Sequence, residues 1–179
     1  RIARLLEEGT YPSRILAVTF TNKAAREMRE RVEHLVGSSS RGMWIGTFHS
    51  LCARLLRMEG LAIGLDPNFV VYDDGDQLSL IRDILKKKDI DDKAIQPRSV
   101  LNEISRAKEK LLTPEKYAER ASGFFERVAV EVYKAYQAGL TKSNALDFDD
   151  IIFYADRLLE QSGTVREKSH ERFQHVLVD

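Results

Sequence analysis

The stretch Ile15-Leu16-Ala17-Val18-Thr19-Phe20-Thr21-Asn22-Lys23-Ala24-Ala25-Arg26-Glu27-Met28 decides the fold class. Its first four residues are a continuous apolar run behind Pro12-Ser13, which predicts a buried strand. The polar run Thr19 to Lys23 is a turn, with Thr21 or Asn22 as helix N-cap, since either side chain can accept a bond from an orphan amide of the first turn. Ala24, Met28, Val32 and Val36 then recur every four residues, with Leu35 beside them, as one apolar helical face. Gly37 is expected as a left-handed C-terminal residue, followed by a loop at Ser38-Ser39-Ser40. A buried strand feeding an amphipathic helix is an α/β unit.

The pattern repeats outward. Met43 to Gly46 reads as a second strand, and Phe48, Leu51, Cys52, Leu55 and Leu56 as the apolar face of a second helix that Gly60 ends. Beyond it the strands nearly vanish, with only Phe69 to Tyr72 looking extended. Asp73 or Asp74 starts a helix that buries Leu78, Ile81 and Leu85, and Pro97 starts one that buries Val100, Ile104, Ala107 and Leu111. Thr113-Pro114-Glu115 starts a third, and Phe124 to Tyr136 is a fourth. From Leu146 the α/β character returns, with Asp147 as N-cap, Asp150 three residues on, and Ile151, Ile152, Ala155, Leu158 and Leu159 as the buried face. A short polar helix, Thr164 to Phe173, leads into a closing strand, Val176-Leu177-Val178-Asp179. The expected architecture is an α/β flank at 1–60 and 145–179, interrupted by a mostly helical subdomain at 61–144.

Bulk properties bound the function without choosing it. The 179 residues carry 28 basic and 28 acidic side chains and are 43% hydrophobic. This balance argues against a dedicated basic nucleic-acid module. It leaves room for a protein that grips a strand through amides, hydroxyls and rings. The longest apolar runs are far below the roughly 20 residues of a bilayer span, and no secretory signal opens the chain. A single cysteine, Cys52, precludes an intrachain disulfide and fits a reducing, cytoplasmic setting. The opening without Met and the ending on an apolar strand lead us to expect an internal fragment.

Three strand ends carry polar sets. Thr19-Phe20-Thr21-Asn22-Lys23 and Gly46-Thr47-Phe48-His49-Ser50 each follow a strand and open a helix, where ligand crevices form in open α/β sheets. Phe20 has two readings: a core residue under a capped turn, or an exposed ring that stacks on a base. His49 has no partner at metal-ligand spacing, so a zinc site is not expected. Asp179 follows an apolar strand, as does the acid that holds Mg²⁺ in nucleoside triphosphatases.

Taken together, Ile15 to Met28, Gly46 to Ser50, Leu146-Asp147-Phe148-Asp149-Asp150 and the ending Val178-Asp179 resemble the UvrD/PcrA/Rep group of superfamily 1 helicases, with the likeness greatest to its PcrA branch. Ile104-Ser105-Arg106-Ala107-Lys108 is similar to that family too. The resemblance covers essentially the whole chain. It implies a partial RecA-like parallel sheet of the P-loop NTPase type (core domain 1A) with a helical 1B-like insertion, from a motor that tracks single-stranded DNA and unwinds duplex in DNA repair or replication. In that family's terms Thr19, Phe20, Thr21, Asn22 and Lys23 would contact the strand, Thr47, Phe48 and His49 would form the neighbouring contact, and Asp179 would bind the Mg²⁺ of Mg-ATP. Arg106, Lys108 and Lys110 are read either as lying near nucleic acid or, more simply, as a solvated helix face.

No Gly-x-x-x-x-Gly-Lys-Ser/Thr loop occurs in the chain, and the glutamate of the Walker B motif would follow Asp179. No catalytic set is complete, so ATP and Mg²⁺ are cofactors of the parent and the chain alone is expected to be inactive. Expected partners are single-stranded DNA, DNA junctions and the remainder of the helicase, with self-association through an unpaired sheet edge and no membrane. The helicase part of a RecB- or AddA-type helicase-nuclease, and a non-catalytic DNA-binding or interaction module, are the alternatives.

Overall fold

A computed structural model describes residues 1–37, 41–91 and 94–179, so the expected loop at Ser38 to Ser40 lies outside the described residues. The backbone forms two compact units, Arg1–Pro67 with Ala155–Asp179, and Asn68–Tyr154.

The first unit contains three parallel strands in the order β2-β1-β5: β1 (Ile15–Thr19), β2 (Trp44–Thr47) and β5 (His175–Val178). Central β1 is buried along nearly its whole length, which is why it reads as an unbroken apolar run. Its side chains alternate between two clusters. Ile15 and Ala17 pack with Ile2 of α1 (Ile2–Glu7), Val32 of α2 (Asn22–Val36) and Ile45. Leu16 and Val18 face the other way, with Trp44, Phe173, and Leu51 and Leu55 of α3 (Phe48–Glu59). Each fully buried aliphatic side chain here contributes about 1.5–3 kcal/mol. Arg29 of α2 also donates to the carbonyl of Ile45 at 2.7 Å, tying that helix to β2. A polar helix, α9 (Gly163–Arg172), precedes β5.

Local details depart from the sequence expectations at several points. Leu111, expected on the buried face of the helix opened by Pro97, is 41% exposed at φ +54°, past the end of that helix at Glu109. Leu35 is exposed and takes no part in the α2 face. Gly37 has φ +59° but ψ −135°, so the helix ends on a positive φ without a left-handed helical turn. Gly60 stays right-handed at φ −60°, and the chain continues through a 3-10 turn to Gly64, whose φ of +76° makes the stop.

In the second unit, α4 (Asp74–Lys87), α5 (Pro97–Glu109), α6 (Pro114–Ala118) and α7 (Phe124–Lys142) enclose a core that includes Ile81, Leu85, Ile104, Tyr133, Tyr136 and Leu140. Asp73 caps α4 in a reciprocal capping box with Asp76, and Thr113 caps α6. Two short strands, β3 (Val70–Val71) and β4 (Ala145–Leu146), pair in parallel. Helix α8 (Phe148–Gln161) follows β4, and Asp147 accepts from the Asp150 amide at 2.8 Å at its start.

The unit boundaries fall at 67/68 and 154/155, whereas the sequence divided the chain at 60/61 and 144/145. The segment 145–154 is held in the helical unit by the β3–β4 pairing and by a buried ion cluster on Asp147 and Asp150, both formed with residues distant in sequence.

Candidate nucleic-acid interface

Strands β1 and β2 are parallel and in register, with Val18 opposite Gly46 and Thr19 opposite Thr47. Their carboxyl ends therefore deliver the two polar turns side by side. Thr21 caps α2 by accepting from the Ala24 amide at 3.1 Å. Thr47 caps α3 by accepting from the Ser50 amide at 3.2 Å, while the Ser50 hydroxyl donates back to the Thr47 carbonyl at 3.0 Å. Gly46 permits this tight entry, since a Cβ there would come within 2.5 Å of Ser50 Oγ and 3.1 Å of Leu51 Cγ.

The two turns present one aromatic feature. Phe20 is 80% exposed and Phe48 is 36% exposed, and their ring centroids lie 5.5 Å apart at a 58° tilt. The core reading of Phe20 is therefore set aside: its ring packs on another surface ring. Asn22, Lys23 and His49 are also exposed, and Lys23 lies 3.9 Å from Glu27, a solvated pair of little energetic weight. Thr19 and Thr47 are buried. Thr19 donates its hydroxyl to the Thr21 carbonyl at 3.1 Å, so the two threonines shape the turns from beneath.

Asp179 is exposed just past β5, its amide donating to the Val18 carbonyl at 3.0 Å. It lines a cleft of about 410 Å³ with Arg1, Ala24, Glu27 and Arg31. Among the described residues no three His, Cys, Asp or Glu side chains gather as a metal site. Mg²⁺ is commonly held by one or two carboxylates, with waters and phosphate oxygens completing its octahedral shell, so Asp179 would supply one such ligand.

The two further segments singled out in the sequence meet inside the helical unit. Lys108 Nζ lies 2.6 Å from Asp147 and 2.8 Å from Asp150, with all three side chains 1–2% exposed. Tyr136 donates to Asp147 at 2.9 Å, and the Gln137 amide donates to Asp150 at 3.2 Å. Burial pushes the Asp150 carboxyl up, Lys108 pulls it back and Asp147 pushes it further, leaving it at about 6. Burial also works against the Lys108 ammonium, but the two carboxylates outweigh it and hold the group above its ordinary value. Lys108 is thus neither a solvated nor a nucleic-acid-facing side chain. Its position carried a signal, because it stands four residues after Ile104 and eight after Val100, on the apolar face of α5.

Residues 1–179 match the family model described as the UvrD/REP helicase N-terminal domain, and the chain belongs to that family. Over 180 aligned residues it is 46% identical to the ATP-dependent DNA helicase PcrA of Bacillus subtilis, 45% to that of Staphylococcus epidermidis and 43% to that of Staphylococcus aureus. Each alignment covers 100% of this chain and 24–25% of the relative. The chain thus spans about a quarter of the length of the curated relatives it matches.

Proposed function

We propose that this chain works within an ATP-dependent DNA helicase as the part that grips the single strand being tracked. The observation that carries this reading is the exposed Phe20–Phe48 pair at the carboxyl edge of a parallel sheet. Rings in that position stack on bases of any sequence, each stacked base contributing about 1–3 kcal/mol, and a motor that steps along DNA needs such sequence-independent contacts. The exposed Thr21, Asn22, Lys23 and His49 flank the rings and supply polar contacts to the sugar-phosphate backbone. Thr19 and Thr47 act one layer down, by shaping the turns.

The parallel order β2-β1-β5, with helices on both faces of β1, supports reading the first unit as a RecA-like core domain 1A. The helical unit then corresponds to a 1B-like subdomain. ATP and Mg²⁺ belong to the whole helicase in this proposal, and this chain contributes Asp179 toward them.

The reading is tested by titrating the 179-residue chain into a labelled thymidine oligonucleotide and following anisotropy. Weak binding, on the order of 10⁻⁴–10⁻⁶ M and weakened by salt, is expected. Phe20→Ala is expected to weaken it by about 1–3 kcal/mol with an unchanged melting temperature, because the ring is outside the core. A Phe20→Ala chain that binds as tightly as the parent would overturn the assignment.

A further inference from the structure

The face of the sheet that α3 covers carries a second feature. Trp44, the only tryptophan of the chain, is 2% exposed. Two guanidiniums stand against its indole, Arg54 Cζ at 4.1 Å and Arg172 Cζ at 4.9 Å from the ring centroid. The two cations are therefore no farther apart than those two distances laid end to end. Among the described residues neither forms an ion pair with a carboxylate. The indole Nε1–H is buried and has no acceptor.

Three donor groups thus share one small neighbourhood without an acceptor among them. Only the indole N–H is buried; Arg54 is exposed and Arg172 half-buried, so both guanidiniums reach the surface from the indole. A guanidinium lying over a ring uses its face for the aromatic contact and keeps its in-plane N–H groups for an anion. Their planar fork matches a phosphate better than a point charge does.

The location indicates which anion. Phe48, half of the exposed aromatic pair, lines the same apolar groove of about 240 Å³ as Trp44 and Phe173. Arg54 lies six residues beyond Phe48 on α3, about 9 Å at 1.5 Å per residue. We infer that Arg54 and Arg172, held against Trp44, bind a backbone phosphate of the same nucleic-acid strand whose base stacks on Phe20. This inference rests on the strand-binding reading and adds to it a phosphate site off the sheet edge.

Trp44 is its own reporter. Titrating the 179-residue chain with a thymidine oligonucleotide should change Trp44 emission with the same midpoint as the anisotropy titration. Arg54→Gln and Arg172→Gln should each weaken binding about tenfold and reduce the slope of log affinity against log salt by about 0.7. Arg54→Lys, which keeps the charge, should retain the slope. If both glutamine variants bind like the parent while Phe20→Ala binds more weakly, the phosphate site is overturned and strand binding stands. If neither the parent nor any variant binds the oligonucleotide, both readings fall together. Should a glutamine variant not fold, saturating oligonucleotide on the parent decides, because unchanged Trp44 emission removes the site. A polyglutamate peptide that shifts the emission where the oligonucleotide does not would reassign the arginines to an acidic protein partner and overturn the proposal.

Discussion

Lys108 faces two carboxylates in a volume closed to water, so the cluster holds one buried negative charge in excess when both are ionised. Asp150 relieves this by taking a proton at about pH 6 in the folded chain. An unfolded aspartate does so only near pH 3.9. The folded state therefore binds the proton first. Its contribution to stability grows as pH falls from 7 through 6 toward the unfolded value, and is lost as pH rises through about 6. Melting the parent and Asp150→Asn side by side at pH 7, 6 and 5 should show the parent gaining about 1–3 kcal/mol relative to the variant on acidification. Parallel curves would remove Asp150 as the titrating group. Lys108→Met should be far more harmful, costing about 3–5 kcal/mol by denaturant unfolding at pH 7, because it strands two buried carboxylates. A cost below about 1 kcal/mol would mean that water reaches the cluster.

The junction of β2 with α3 shows how an element's entry is set by one missing side chain. The helix begins immediately after the strand, so the first-turn side chains fold back over Gly46, where a Cβ would stand 2.5 Å from Ser50 Oγ. Gly46→Ala should destabilise the first unit by about 1–3 kcal/mol through overpacking. Because the nearest atom is a hydroxyl, Ser50→Ala in the same chain should restore part of that loss, whereas Leu51 Cγ at 3.1 Å remains in the way. A double-mutant cycle by thermal melting checks this, and strict additivity would show that the clash lies elsewhere. The same junction carries Phe48, so the double variant should regain oligonucleotide binding along with stability.

For the molecule as a whole, β5 pairs with β1 on one side, and among the described residues no strand pairs with its other side. Val176 and Val178 are 58% and 62% exposed on one face of it. An open edge with an apolar face is a template for another chain. A chain of zero net charge has little long-range repulsion to oppose such pairing. Sedimentation should therefore show concentration-dependent association near neutral pH. Val176→Lys should shift the population toward monomer while leaving the melting profile of dilute protein nearly unchanged. An unaltered association constant in that variant would direct attention to other surfaces. No helix among the described residues is long and apolar enough to cross a membrane.

Periodicity and caps are local properties, and the sequence determined them by itself. The four-residue recurrence of Met28, Val32 and Val36, the Thr113 cap and the Asp147–Asp150 start rest on bonds or packing within a few residues and appear as read, while Thr21 and Asp73 are each one of the two caps the sequence left open. The family was legible for a related reason, because its motifs sit at strand ends that the periodicity had already located. Register decided the rest. Only the pairing of Thr19 with Thr47 sets Phe20 against Phe48. Only the packing of α5 in the helical unit brings Lys108 to Asp147, 39 positions away. Trp44 read as an ordinary strand residue, since nothing near it in sequence announces Arg172. Such contacts join segments whose separation along the chain carries no period. A charge is worth burying only where a partner from elsewhere arrives within hydrogen-bond reach, so the apolar face of α5 marked Lys108 but only the tertiary structure supplied the carboxylates that let it be core.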